Sequence, residues 1–219
     1  MCQIYIMKNI KALIEKAKTM TNSGHPHLDR RWTSEGPDGR NKHYRRPYYR
    51  FCMELARAIK PNVVVELGID ESDCSGHFAF GCPTAAVYGV DVHKDGEEPS
   101  LRCRETEKQF PNFKYLRGWT WDKLETLKSL NITIDILFID SWHEYDYFAK
   151  DWNDYTQLIT NKSIILVDDL HMTGIGNAFN KIPGNKYIDK SMNPAVPFGI
   201  LLEPDVGFRF EHKKMEYMP

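Results

Sequence analysis

The chain has 219 residues, 42% hydrophobic and 12% aromatic, which suffices for one α/β domain with an N-terminal extension. Its 29 basic and 30 acidic side chains give a net charge of −1, which argues against nucleic acid as a partner. Five cysteines without a CxxC pair favour reduced thiols, and no apolar run approaches the roughly 20 residues of a membrane span. We therefore expect a soluble cytoplasmic protein that binds neither nucleic acid nor membrane.

The first 45 residues are predicted to form a helix followed by a loop or lid. Apolar side chains at helical spacing indicate a helix over residues 4–20. Residues 21–43 are rich in Gly, Pro, Ser, Asn and His and lack apolar periodicity, which favours a long loop. Basic side chains crowd residues 30–50, which overlap this loop, and we interpret them as a solvated face or lid: Arg30, Arg31, Arg40, Lys42, Arg45, Arg46 and Arg50.

From residue 46 onward, predicted strands and helices alternate. The strands are short apolar segments: 63–68, 85–91, 113–116, 134–139, 164–167, 186–188 and 198–202. Helices are predicted among them: 47–60, 99–110, 121–130, 144–159 and 174–181. We interpret residues 69–75, after the first strand, as a polar turn. The predicted fold is α/β, a Rossmann-like, doubly wound, mostly parallel seven-stranded sheet with helices on both faces and an N-terminal helical extension.

Two of the predicted strands end on aspartate. Asp140 follows residues 134–139, and Asp168 and Asp169 follow residues 164–167. Parallel sheets bind ligands at the carboxyl ends of their strands, so these three carboxylates are expected to share one crevice. A hard divalent cation such as Mg²⁺ would relieve their mutual repulsion. The alternative is that each aspartate caps the helix that follows it.

A second pair of strand ends carries the features of a nucleoside site. Glu66 and Gly68 end the first strand, and Asp91 ends the second. A carboxylate at the position of Asp91 can accept both hydroxyls of a ribose, and Gly68 permits close approach of the backbone to a ligand. The acidic turn 69–75 lacks a full GxGxxG motif, which disfavours a phosphate and favours a ligand with a cationic centre. Simple capping of the strand end is the alternative for Asp91.

These motifs together resemble those of the class I S-adenosylmethionine-dependent methyltransferases. The segment Val64 to Asp91 carries the resemblance with the Asp140 and Asp168–Asp169 segments. More narrowly, residues 138–145 and 166–169 resemble a small family that includes macrocin-type sugar O-methyltransferases and cephalosporin-hydroxylase-like proteins. The likeness spans about residues 45–202. It implies that residues 46–219 form an S-adenosylmethionine-binding methyltransferase domain acting on a hydroxyl of a small molecule, such as a sugar or secondary metabolite.

The resemblance also implies roles for individual residues. Cofactor contacts fall at the ends of the first four strands: Glu66, Gly68, Asp91, Gly118, Trp119, Thr120 and Asp140. In this set the first two would contact the methionine part, Asp91 the ribose, and the three residues after the third strand the adenine. The implied ligands of Mg²⁺ or another divalent cation are Asp140, Asp168 and Asp169, and His143 would be the general base. An interior histidine without a catalytic role is the alternative for His143.

Two functions of other classes remain open from the sequence. One is a non-catalytic protein of the same fold that binds a nucleoside ligand or a partner protein. The other is a different metal-dependent enzyme on this scaffold. The sequence also leaves open that the protein is a homo-oligomer.

Overall fold

The structure, a computed structural model, describes residues 3–29, 47–94, 96–193 and 195–211. Within these ranges the strands are β1 Val63–Leu67, β2 Ala86–Asp91, β3 Phe113–Arg117, β4 Ile134–Ile139, β5 Ile159–Val167, β6 Asn185–Asp189 and β7 Phe198–Leu202. The α-helices are α1 Gln3–Thr19, α2 Pro26–Asp29, α3 Pro47–Ile59, α4 Asp73–Gly81, α5 Glu98–Gln109, α6 Thr120–Ser129, α7 Tyr145–Tyr155 and α8 Thr173–Lys181.

The strands form one seven-stranded sheet in the order β3-β2-β1-β4-β5-β7-β6. The first five strands in this order are parallel, and β7 runs antiparallel to both of its neighbours. The chain leaves β3 at one edge and returns to the middle of the sheet as β4, beside β1. The carboxyl ends of β1 and β4 therefore meet where the winding reverses, with Leu67 opposite Ile139. The predicted Rossmann-like sheet is confirmed.

Two hydrophobic cores cover the two faces of the sheet. Phe51 and Phe78, from α3 and α4, belong to the first core, and Trp152 and Phe179, from α7 and α8, belong to the second. Every residue of β1 is buried, as expected for a central strand with helices on both sides. Apolar side chains of α1 join the first core: Ile10, Ile14 and Ala17.

One helix begins inside the predicted polar turn. The structure places α4 at Asp73–Gly81, and the polar Ser72 and Ser75 at its start are buried. Their hydroxyls donate to Thr106 and Glu66, respectively, so these polar groups are satisfied inside the protein. Buried polar side chains do not produce the apolar periodicity by which a helix is predicted from sequence.

The fifth strand begins five residues earlier than predicted. Ile159 pairs with Ile134, but Ile164 pairs with Ile136, so the chain between Ile159 and Ile164 bulges out of the sheet. The Ser163 hydroxyl donates to the carbonyl of Ile134 at 2.6 Å and closes the bulge. The polar sequence of the bulge explains why the prediction starts only at the apolar run.

The predicted N-terminal loop lies only partly within the described residues. Its beginning contains the short helix α2, whose Leu28 is buried in the first core. Six of the seven basic residues assigned to a solvated face or lid lie outside the described residues, whereas Arg50 is on α3 and is buried. In the part of the chain that the structure describes, no helix combines the length and the apolar character needed to cross a bilayer.

Candidate functional site

A cavity of about 740 Å³ lies at the carboxyl ends of strands β1 to β5, within the size range of small-ligand sites. Most of the residues predicted from the sequence line it: Gly68, Asp91, Gly118, Trp119, Thr120, Asp140, His143 and Asp169. Glu66 and Asp168 are not among the lining residues. The fold therefore brings residues of the predicted nucleoside site and of the predicted metal site to one cavity, without Glu66 and Asp168.

Gly68 sets the distance between the ends of β1 and β4. Its φ of +77° is in the left-handed region, and a Cβ at this position would lie 2.2 Å from the carbonyl oxygen of Asp140. Its N–H donates to the carbonyl of Val90 at 2.9 Å, which ties the turn to β2 as well. Only glycine permits this close approach of three strand ends.

Asp91 organises the turn that follows β1. One of its carboxylate oxygens accepts from the N–H groups of Ile69 at 2.8 Å and Asp70 at 2.9 Å. The other accepts from the N–H of Val92 at 2.7 Å and lies 3.3 Å from Nε2 of His93. Asp91 thus caps the strand ends and lines the cavity at the same time, so a ribose hydroxyl that reaches it would share these acceptor positions.

Glu66 lies behind the cavity wall. It is buried, and its carboxylate accepts a hydrogen bond from the hydroxyl of Ser75 in α4. Burial raises the pKa of Glu66 well above its ordinary value. In this structure the direct contact of Glu66 is with the first turns of α4.

Asp140, His143 and Asp169 form a compact group at the ends of β4 and β5. One ligand atom from each lies within 4.8 Å of the others. Nε2 of His143 is 2.8 Å from a carboxylate oxygen of Asp169 and 3.8 Å from one of Asp140. Asp169 has a φ of +55°, a conformation uncommon outside glycine that turns its side chain toward this group.

The charges of this group act on one another. Burial, with the nearby carboxylates of Asp168 and Asp169, raises the pKa of Asp140. The neighbouring carboxylates of Asp140 and Asp169 raise the pKa of the His143 imidazole. The N-caps of α7 and α8 are Glu144 and Met172, so none of the three predicted aspartates caps these helices.

Two carboxylates and an imidazole are a donor set that fits a divalent cation. Carboxylate oxygens suit Mg²⁺, and an imidazole also suits transition metals such as Mn²⁺. Asp168 lies outside this three-residue group: it is 3% exposed and accepts a hydrogen bond from the N–H of Asp169 at 2.8 Å. The structure thus groups His143 with two of the three predicted ligands.

Four aromatic side chains form a rim at one end of the cavity: Trp119, Trp121, Trp142 and Tyr147. The rings of Trp119 and Trp121 stack with centroids 4.9 Å apart, and those of Trp142 and Tyr147 are 5.3 Å apart. Trp142, which is 48% exposed, approaches Trp119 at 6.2 Å and connects the two pairs. Of the four, the sequence predicted a role for Trp119, and the alternation Trp119–Thr120–Trp121 is the signal that could have added Trp121.

Asp151 is a cavity residue that sequence reasoning missed. It lies on α7 and is 2% exposed, and its two oxygens accept from the hydroxyls of Thr120 and Ser141. Burial raises its pKa to about 6. Nothing around position 151 in the sequence distinguishes this aspartate from its neighbour Asp154, because its role depends on contacts with two distant strand ends.

The lining of the cavity is acidic. It includes six carboxylates and two imidazoles, and the described lining residues include neither lysine nor arginine: Asp70, Asp91, Asp140, Glu144, Asp151, Asp169, His93 and His143. Such a lining repels phosphates and attracts cations. A ligand with a cationic sulfur meets this requirement.

Comparisons with known proteins agree with this geometry. Residues 72–170 match the model of a methyltransferase domain family. A search of curated proteins finds no match. Among solved structures, the methyltransferase PaMTH1 of Podospora anserina, bound to S-adenosylhomocysteine, is similar at 18% identity and a TM-score of 0.61, over 90% of this chain and 95% of that one.

Two further structures share the fold. The O-methyltransferase TomG of Streptomyces achromogenes, in complex with S-adenosylmethionine, has 13% identity and a TM-score of 0.59, over 87% of this chain and 89% of its own. An O-methyltransferase of Bacillus cereus bound to S-adenosylhomocysteine has 10% identity and a TM-score of 0.57, over 87% and 90%. The chain therefore has the fold of these methyltransferases, and its residues 72–170 match a methyltransferase domain.

Proposed function

We propose that this methyltransferase transfers the methyl group of S-adenosylmethionine to a hydroxyl of a small molecule, with Mg²⁺ or another divalent cation in the acidic group. The observation that carries the proposal is that one cavity is lined both by the Asp91 turn and by the Asp140–His143–Asp169 group. The named relatives TomG and the Bacillus cereus protein are O-methyltransferases, which supports a hydroxyl as the acceptor.

The donor half of the proposed site uses the ends of β1, β2 and β3. Asp91 would hold the ribose, and Gly118, Trp119 and Thr120 would line the adenine. Arg117, the last residue of β3, is the register partner of Asp91, so the segment that follows it begins beside the proposed ribose position. The acidic lining favours the positive sulfonium, and Gly68 lets the ends of β1 and β4 pack closely in the wall of the cavity.

The acceptor half uses the ends of β4 and β5. Asp140 and Asp169 would hold the cation, and Asp168 would add negative charge directly behind them. Trp142, which follows Asp140 by two positions and is half-exposed, offers an apolar face on which an aromatic or sugar ring can pack. The cation would then neutralise the negative charge of the carboxylates that raise the pKa of Asp140 and of His143.

The chain's own residues would orient the reactants and accept a proton. S-adenosylmethionine, when bound, supplies an electrophilic methyl group, and the divalent cation supplies the charge that lowers the pKa of the acceptor hydroxyl. Nε2 of His143 donates its hydrogen to Asp169, so the neutral imidazole would accept the hydroxyl proton at its other ring nitrogen, Nδ1. The new oxygen–carbon bond forms as the carbon–sulfur bond breaks, and S-adenosylhomocysteine leaves. Positioning of the two reactants in one cavity would account for much of the rate.

The proposal is tested in two steps with the full chain. Calorimetric titration with S-adenosylhomocysteine should show one binding site per chain. A panel of hydroxylated sugars, phenols and secondary metabolites is then incubated with S-adenosylmethionine and Mg²⁺, and release of S-adenosylhomocysteine is measured. At least one acceptor should be methylated on oxygen, and a chelator should suppress the reaction.

Three results would count against the proposal in different ways. No binding of S-adenosylhomocysteine would exclude the donor half. Binding without turnover of any hydroxylated acceptor would favour a non-catalytic role or another acceptor atom. Turnover that is unchanged in chelator would exclude the metal while leaving O-methylation in place.

A further inference from the structure

The wall of the cavity contains a carboxylate that the proposed mechanism does not use. Asp151 on α7 is 2% exposed and lines the cavity together with Thr120, at the start of α6, and Ser141, after β4. The Thr120 hydroxyl donates to one carboxylate oxygen and the Ser141 hydroxyl to the other. Through these two hydrogen bonds, Asp151 connects the segment after β3 to the segment after β4.

The two hydroxyls do not use the full acceptor capacity of this carboxylate. An ionised carboxylate has about four acceptor positions, and it donates no hydrogen bond. Thr120 and Ser141 occupy one position on each oxygen. Asp151 can therefore accept further hydrogen bonds from a group inside the cavity, and it disfavours any group that presents only acceptors.

The location of Asp151 specifies which part of a ligand it would meet. Its partner Thr120 directly follows Gly118 and Trp119, the segment proposed for the adenine. The rings of Trp119 and Trp121, which stack with centroids 4.9 Å apart, lie in the same wall, and their exposed face can contact a planar base. The polar edge of a base placed there would face the carboxylate beside Thr120 and Ser141.

We propose that Asp151 is a specificity-determining residue of the donor site, whose carboxylate accepts a hydrogen bond from the exocyclic amino group of adenine. This inference rests on the proposed use of S-adenosylmethionine. The amino group is a donor and matches an acceptor-only carboxylate, whereas hypoxanthine presents a carbonyl oxygen at the same place. Recognition of this kind rejects the analogue because two acceptors would face each other in a buried site.

The test compares two ligands that differ at this one group. Calorimetry would measure the binding of S-adenosylhomocysteine and of S-inosylhomocysteine, in which the amino group is replaced by a carbonyl. The wild-type protein should prefer S-adenosylhomocysteine by at least about 10-fold. In Asp151→Asn the amide can rotate to offer either an acceptor or a donor, so the preference should fall to within about threefold.

The control is Asp154→Asn, the same substitution one turn further along α7. Asp154 pairs with Lys150 at 2.6 Å and does not line the cavity, so this variant should retain the wild-type preference. If Asp151 only braces Thr120 and Ser141, Asp151→Asn will weaken both ligands by the same factor, and an unchanged preference overturns the inference. If Asp151→Asn does not fold, Asp151→Ser replaces it, because serine keeps a hydroxyl network without the charge. Its preference between the two ligands is measured and interpreted in the same way.

The outcomes separate this inference from the proposed function. If neither ligand binds the wild-type protein, the donor site itself is wrong and both proposals fail. If S-adenosylhomocysteine binds and the wild-type protein does not discriminate between the ligands, only the role of Asp151 fails.

Discussion

Asp91 and Asp140 are both strand-end carboxylates in one cavity, yet their surroundings are opposite. Asp91 accepts hydrogen bonds from three backbone N–H groups and lies near His93. Burial raises the pKa of Asp140, the nearby His143 opposes this shift, and the carboxylates of Asp168 and Asp169 add to it. In the donor half the protein satisfies its own carboxylate, whereas in the acceptor half it concentrates negative charge.

The contrast indicates which half depends on an added charge. A carboxylate that is held by backbone donors has its orientation fixed before a ligand arrives, which suits recognition of a neutral ribose. Carboxylates that crowd one another are costly to bury unless a cation joins them. We therefore expect substitutions in the acceptor half to affect metal binding and catalysis, and substitutions in the donor half to affect cofactor binding and folding.

The largest expected effect is on catalysis, from Asp169→Asn. The amide tolerates the left-handed φ of +55° but lacks the charge, so methyl transfer should fall by about 10³-fold. Binding of Mn²⁺, used as a probe and followed by electron paramagnetic resonance, should weaken by at least about 30-fold. The affinity for S-adenosylhomocysteine should stay within about threefold, because the donor half is unchanged.

The matched control for Asp169→Asn is Asp146→Asn, which removes an exposed carboxylate near the start of α7. It should leave metal binding, cofactor binding and turnover at wild-type values. Normal Mn²⁺ binding by the Asp169 variant would contradict the assignment of the metal to the acceptor half.

The next effect is on stability, from Gly68→Ala at the junction of the two halves. The new Cβ would lie 2.2 Å from the Asp140 carbonyl oxygen, a backbone atom that cannot move without displacing the end of β4. We expect a loss of about 3 kcal/mol or more in the free energy of unfolding, measured by urea denaturation. Gly96→Ala is the control, because Gly96 also has a positive φ, +85°, but has no atom within 4 Å of the new Cβ. Equal losses in the two variants would show that the β1–β4 junction is not tightly constrained.

A third prediction concerns the pH dependence of stability conferred by Asp151. Burial raises its pKa from 3.8 to about 6, so between these values the folded state binds a proton that the unfolded state releases. Stability from this group is therefore highest below about pH 4 and is lost as the pH rises through about 6. Relative to wild type, Asp151→Asn should gain about 2–3 kcal/mol in the free energy of unfolding between pH 4 and pH 7. Urea denaturation across this range measures the gain, and a difference between variant and wild type that does not change with pH would contradict it.

The sequence predicted the strands better than the chemistry between them. Apolar runs such as Ile134–Ile139 define buried parallel strands, and the aspartates and glycine at their ends follow directly from that pattern. Because parallel strands end at one edge, the convergence of Asp91 with Asp140 in one cavity could be predicted from their positions alone. The start of α4 and the bulge in β5 could not, since both depend on hydroxyls that bond to residues distant in the sequence.

The roles of single side chains depended on three-dimensional contacts that no local pattern encodes. Glu66, predicted to contact the cofactor, bonds to Ser75 behind the cavity wall. Asp151, which lines the cavity, was not predicted because Thr120 and Ser141, its partners, lie 31 and 10 residues away. The prediction failed at Glu66 and at Asp151 because the spacing of residues in the sequence does not determine the direction in which a side chain points.

The smallest expected effect tests the contrast between Asp91 and Asp140 directly, by their effect on folding without ligands. Asp91→Ala leaves the N–H groups of Ile69, Asp70 and Val92 without this acceptor, so the free energy of unfolding should fall by about 1–2 kcal/mol. Asp140→Ala removes a carboxylate that its neighbours repel, so in chelator its free energy of unfolding should stay within about 0.5 kcal/mol of wild type or rise. Urea denaturation of both variants in chelator gives the two numbers. Equal losses would mean that the charge of Asp140 is as well compensated within the protein as that of Asp91, and the case for a cation in the acceptor half would lose its electrostatic basis.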